Sequence, residues 1–147
     1  MIKIKYDINL MKYISLFENV TRSKVKDCID NNGNLIFIVE NGEIAKAIGK
    51  KAINIKKIEG LLKKKVRVIE FNEDISVFVG NLIRPLQVED ISYENGVVTI
   101  TDSSNKTKGM IIGRDAVNLK KHKEIVSRYF DLEDIKVVWF LVTTFQY

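Results

Sequence analysis

One cysteine, Cys28, in 147 residues excludes an internal disulfide and a thiolate-held zinc site. It alternates with apolar neighbours, and that pattern predicts a small core residue rather than a reactive thiol. Histidine is nearly as scarce. His122 falls on an apolar helical stripe, so a half-buried structural role is expected of it. The longest continuous apolar run, Val137 to Val142, is far short of the roughly 20 residues that a membrane-spanning helix needs. Residues 1–20 hold no apolar run long enough for a secretory leader, and the chain reads as cytoplasmic. Glu70, Glu73 and Asp74 form an acidic group near mid-chain. No matched nucleophile, histidine or second acidic motif accompanies it, so no catalytic constellation, metal site or cofactor is expected.

What the chain does contain is ordinary globular composition with a basic balance. Hydrophobic residues make up 46% and charged residues 29%, with a net charge of +5 and a pI near 9.2. An excess of cations favours nucleic acid or another acidic surface as partner. The length suits one domain or two small ones.

A repeat decides between these. Ile48-Gly49-Lys50-Lys51-Ala52-Ile53-Asn54-Ile55-Lys56-Lys57 returns as Ile112-Gly113-Arg114-Asp115-Ala116-Val117-Asn118-Leu119-Lys120-Lys121, 64 residues later. Ile, Gly, Ala, Asn and the final two lysines are identical. Only Lys51/Asp115 changes character. A period this long means two copies of a small module, not a solenoid. In each copy a glycine allows a sharp turn, two charged residues follow, and a small residue opens a helix. Free N–H groups and a positive dipole at that helix start suit an anion. A Walker P-loop is excluded, because Gly42 to Gly49 is the wrong spacing and Lys51 stands where Ser or Thr is needed.

Periodicity gives the same element order twice. A helix over 8–19 is followed by strands over 25–29 and 35–39, joined by a turn at 30–34. A short helix over 43–48, the glycine turn, a helix with the stripe Ile55, Ile58 and Leu62, and a strand over 66–71 complete the first copy. Lys63, Lys64 and Lys65 leave that helix as a basic run. Residues 72–74 read as a short acidic linker. The second copy runs helix 75–83, strands 88–93 and 97–101 around Asn95-Gly96, and a helix capped by Asp102 or Ser103 and ending at Ile112. The Gly113 turn, a helix presenting Leu119, His122, Val126, Tyr129 and Phe130, and a strand over 135–138 follow. Residues 1–7 form a short strand or arm. The tail 139–147 favours an extended strand that packs on the modules.

These segments resemble the GXXG loops of KH domains, which clamp single-stranded nucleic-acid backbone. The wider chain resembles the archaeal NusA-type transcription factors over roughly residues 8–138. The matching stretches are Ser15–Thr21, Val25–Ile29, Phe37–Val39, Gly42–Ile44, Asp102–Lys106 and Arg128–Asp131. The resemblance implies an α+β fold of two tandem type II KH domains (α-β-β-α-α-β). Each is a three-stranded sheet with helices packed on one face. Residues 1–72 would be the first, and 73–147 the second with a C-terminal extension. It implies single-stranded RNA as ligand, a role in transcription elongation or termination, RNA polymerase as a partner, and a monomer. The RNA-binding residues would be Ile48, Gly49, Lys50, Lys51, Ala52, Asn54, Lys56 and Lys57, and in the second copy Ile112, Gly113, Arg114, Asp115, Ala116, Asn118, Lys120 and Lys121. The same loops would serve an RNA-processing or ribosome-assembly factor, or a protein-interaction scaffold with weakened RNA binding. Ala52 and Ala116 replace the family's closing glycine. Restoring glycine is expected to relieve the RNA contact but to loosen the helix start and lower the melting point.

Overall fold

The structure is a computed structural model that describes residues 8–139. The expected arm at 1–7 and the tail beyond Trp139 lie outside the described residues. Among the described residues the chain divides into two compact units between Asn72 and Glu73. Each has the order α-β-β-α-α-β.

In the first unit, α1 (Ile8–Thr21) leads into β1 (Val25–Asn31) and β2 (Asn34–Val39). A two-residue turn joins the strands. Asn32 and Gly33 both take positive φ, +54° and +89°. That is the turn geometry whose twist matches a hairpin, and Asn-Gly is its preferred sequence. The strands therefore extend closer to the turn than the composition of 30–34 suggests. α2 (Ile44–Ile48), α3 (Ile53–Leu62) and β3 (Val66–Glu70) follow. β1 pairs antiparallel with β2, and β2 pairs parallel with β3, giving the order β1-β2-β3. Leu35, Phe37 and Val39 of β2 pack with Phe17, Cys28, Ala47 and Ile58 into one buried cluster. Cys28 is a core residue, and Phe17 stacks on Phe37 at 4.2 Å between ring centroids.

The second unit repeats the plan with α4 (Ile75–Leu82), β4 (Asp90–Glu94), β5 (Val97–Asp102), α5 (Asn105–Ile112), α6 (Val117–Ser127) and β6 (Asp134–Trp139). The sheet order is β4-β5-β6, with β5 and β6 parallel. Asn95 and Gly96 make the same positive-φ turn. β5 alternates with a period of two, burying Val98, Ile100 and Asp102.

Three local details differ from the periodicity reading. Asp74 is not linker but the N-cap of α4, its carboxylate accepting from the Ser76 N–H at 2.9 Å. Ser104, not Asp102 or Ser103, caps α5, its hydroxyl accepting from the Thr107 N–H. Asp102 instead accepts from the Ser104 and Glu89 N–H groups, joining the helix start to the strand β4 approach. α6 ends at Ser127, so Tyr129 and Phe130 reach the core from the turn beyond it. Each ring centroid lies 5.7 Å from that of Phe78.

Candidate nucleic-acid interface

Between α2 and α3 the chain reverses in four residues. Helix α2 stops when the Gly49 N–H donates to the Ala45 carbonyl at 2.9 Å. Gly49 sits at φ 77°, ψ 169°, a region that glycine alone tolerates. Lys51 (φ 55°, ψ 32°) and Ala52 (φ 59°, ψ 29°) are both left-handed, and Ile53 returns to helical angles. The second loop has the same backbone. Gly113 stands at 76° and 171°, Asp115 at 54° and 29°, and Ala116 at 60° and 25°. Two different side-chain sets thus hang on one backbone shape.

Asn54 and Asn118 hold that shape. The Asn54 Nδ2 donates to the Lys46 carbonyl at 3.0 Å, and the Asn118 Nδ2 donates to the Met110 carbonyl at 3.0 Å. A Cβ on Gly49 would lie 2.8 Å from the Asn54 amide, and one on Gly113 would lie 2.7 Å from that of Asn118. The glycine is therefore needed twice, for its φ and for the space that the asparagine fills. Both asparagines are structural members of the loop, with one amide hydrogen already used.

The remaining predicted residues divide by exposure. Lys50, Lys51, Lys56 and Lys57 are exposed, as are Arg114, Asp115 and Lys120. Ile48, Ala52, Ile112 and Ala116 are half-buried supports. Lys121 is half-buried and paired with Glu124 at 3.4 Å. Ala52 and Ala116 occupy the N-cap positions of α3 and α6 and offer no side-chain cap. The Ile53 and Val117 N–H groups donate to the Lys50 and Arg114 carbonyls, so each helix start is held by backbone and carries the positive end of the helix dipole with no side-chain cap.

Their left-handed angles also change the sense of the alanine expectation. Left-handed backbone costs an L-residue roughly 1–2 kcal/mol that glycine does not incur. Glycine at 52 or 116 would relieve this strain rather than weaken a helix interior.

Periodicity missed Ile53 and Val117. They are 60% and 57% exposed, immediately after each loop. Ile53 borders a shallow depression with Lys50, Lys51 and Lys56. The signal was present: Ile53 lies about 140° around the helix from buried Ile58. At equivalent positions the second loop trades Lys46 for Met110 and Lys51 for Asp115. It is the less cationic of the two.

Among the described residues no group of three or more His, Cys, Asp or Glu side chains could hold a metal ion, and no helix is long and apolar enough to cross a membrane.

Comparison with known proteins agrees with this architecture. The KH domain family matches residues 12–87. A protein of Methanococcus vannielii described as "Probable transcription termination protein NusA" is 31% identical over 139 residues, covering 92% of this chain and 80% of its own length. Its namesake in Thermoplasma acidophilum is 29% identical, covering 92% of this chain and 96% of its own. The crystal structure of APE1850 aligns with a TM-score of 0.72 at 30% identity, over 90% of this chain and all of that one. The chain belongs to the KH-domain proteins of the archaeal NusA type.

Proposed function

We propose that this protein binds single-stranded RNA through its two glycine loops and acts on nascent transcripts in elongation or termination, alongside RNA polymerase. One observation carries the reading. The same backbone turn occurs in both units, each time placing cations beside an uncapped helix start. Phosphates approach the starts of α3 and α6, at the positive ends of their dipoles. Lys50, Lys51, Lys56 and Lys57 supply charge at the first loop, and Arg114, Lys120 and Lys121 at the second. Ile53 and Val117 give an adjoining apolar surface on which a base can pack. Residues 1–72 and 73–147 are then the two KH domains, and the names of the relatives support the transcriptional role.

A salt-resolved titration tests it. Roughly four to six phosphates neutralised, at about −0.7 each for a single strand, give a log K against log salt slope of about −3 to −4. Double-stranded RNA should bind more weakly. A slope near zero at measurable affinity would favour a protein-interaction role instead.

A further inference from the structure

The two halves of the sequence differ in charge. Residues 1–72 carry fifteen Lys and Arg against eight Asp and Glu, whereas residues 73–147 carry nine against eleven. The contrast is sharpest over 73–105, which holds six carboxylates with Arg84 as its one cation. α4, β4 and β5 all come from this stretch. A surface of this sign repels polyanions and attracts cationic partners.

The same stretch has diverged in shape. α1 has 14 residues and three more lead to β1, but α4 has 8 residues and the connection Ile83–Glu89 precedes β4. The shorter helix packs on its strand through Gly80 and Ile91 but covers less of it. β1 buries Asp27 and Cys28, whereas Asp90, Ser92, Tyr93 and Glu94 of β4 are all exposed. β4 is also an outer strand, paired on one side only among the described residues. Beside it runs a groove of mixed lining. Val77 and Gly80 of α4 and Ile91 of β4 give it an apolar side, and Asn81, Arg84 and Gln87 a polar one. Glu89 and Asp90 are exposed next to Val88 and Ile91 in the chain, and Glu94 is exposed at the far end of β4.

We infer that this groove and the β4 edge form a docking site for an extended, lysine- or arginine-bearing segment of a partner protein. The segment adds as a strand beside β4, alternate apolar side chains enter the groove, and its cations meet the flanking carboxylates. Strand addition suits this edge because main-chain hydrogen bonds supply affinity and alternate pockets supply specificity. The edge acids also select the partner. They discourage pairing between two copies of β4, which would bring like charges together, and they leave a basic strand unopposed. RNA does not fit, because its phosphates would face the same acids. The inference is independent of the RNA reading, which concerns the loops.

The test is an amide-resolved NMR titration of the full chain with three synthetic octapeptides. One alternates lysine and valine, and one alternates aspartate and valine. The third is the lysine–valine peptide N-methylated at every second residue, made in both registers. The lysine–valine peptide should shift the β4, Val77 and Ile91 amides. The aspartate peptide should leave them unmoved. N-methylation in one register should weaken binding at least tenfold by removing strand donors. The Asp90→Lys, Glu94→Lys variant, altered only at exposed positions, should bind at least tenfold more weakly. Val77→Lys in the groove should do likewise if that double variant misfolds. Shifts confined elsewhere, equal binding by both N-methylated peptides, or displacement of the same amides by single-stranded RNA would overturn the inference.

Discussion

The side-chain amide of Asn54 reaches back across the loop to the carbonyl of Lys46, 3.0 Å away, and so ties the start of α3 to the end of α2. A helix end leaves carbonyls without intrahelical partners, and Asn54 satisfies one of them. It also lies over Gly49, where any Cβ would collide with it. Neither residue can change without disturbing the other. Asn118 repeats the arrangement with Met110 and Gly113.

Asn54→Ala should therefore act on loop geometry without removing charge. Losing one intramolecular hydrogen bond costs about 0.5–1.5 kcal/mol of stability. The loosened loop should weaken RNA binding by roughly three- to tenfold, about 1 kcal/mol. The salt slope should stay at the parent value, since no cation has left. Denaturant melts and salt-resolved binding measure the two effects separately. Lower stability with unchanged affinity would mean that Asn54 serves the fold alone.

Glycine at the two closing positions should give the opposite stability sign from the one that sequence suggests. Ala52 and Ala116 hold φ near +60°. Relieving that strain is worth roughly 1 kcal/mol or more per site. The added freedom of glycine in the unfolded chain takes back about 0.4–1 kcal/mol. Each single variant should melt no lower than the parent and up to about 1 kcal/mol more stable. A clear fall in melting temperature would show that these residues are not left-handed in solution.

These alanines also mark where the sequence stops being legible. The repeat, the αββααβ order and both Asn-Gly hairpins are written in residue types with strong local preferences. Left-handed turns are normally signalled by Gly, Asn or Asp. Asp115 fits that code, but Lys51, Ala52 and Ala116 carry no such mark. Asn54 gives no sign of its partner either, because a polar residue in a helix's first turn looks like one facing solvent. The cap of α5 was ambiguous among Asp102, Ser103 and Ser104, since each can accept from a free N–H. Tyr129 and Phe130 kept the helical period past the end of α6, so periodicity alone could not place that end.

The Lys123–Asp134 contact makes the acid limb of stability testable. Lys123 on α6 approaches the Asp134 carboxylate at the start of β6 to 2.7 Å. The hydrogen bond from Lys123 holds the Asp134 carboxyl below its ordinary range; slight burial opposes this, and the Ile135 N–H and nearby lysine charge assist. A depressed folded-state pKa stabilises the protein above the unfolded value, about 3.9, and the contribution is lost as pH falls through the folded value. The pair is exposed, so its worth is below about 1 kcal/mol. Lys123→Met should flatten the loss of stability below about pH 4 and lower stability slightly at pH 7. Parallel pH profiles for parent and variant would show that the pair contributes nothing.

The two loops offer a controlled comparison, because their backbones coincide and their charges do not. The first presents Lys50 and Lys51, and the second Arg114 beside Asp115. A carboxylate at that position repels the phosphate that its neighbour attracts. Lys50→Asp with Lys51→Asp should therefore harm RNA binding more than Arg114→Asp. The double variant also makes twice the charge change, so the converse substitution is the sharper measure. Asp115→Lys rebuilds the first loop's charge on the second loop's backbone. Exposed pairs are worth up to about 1 kcal/mol, which is roughly two- to fivefold in affinity. The gain should come with a steeper salt slope, by up to about one phosphate. Tighter binding with no change in slope would mean that position 115 meets a base rather than the backbone. Unchanged affinity, with the fold intact by circular dichroism, would remove the second loop from the RNA path altogether.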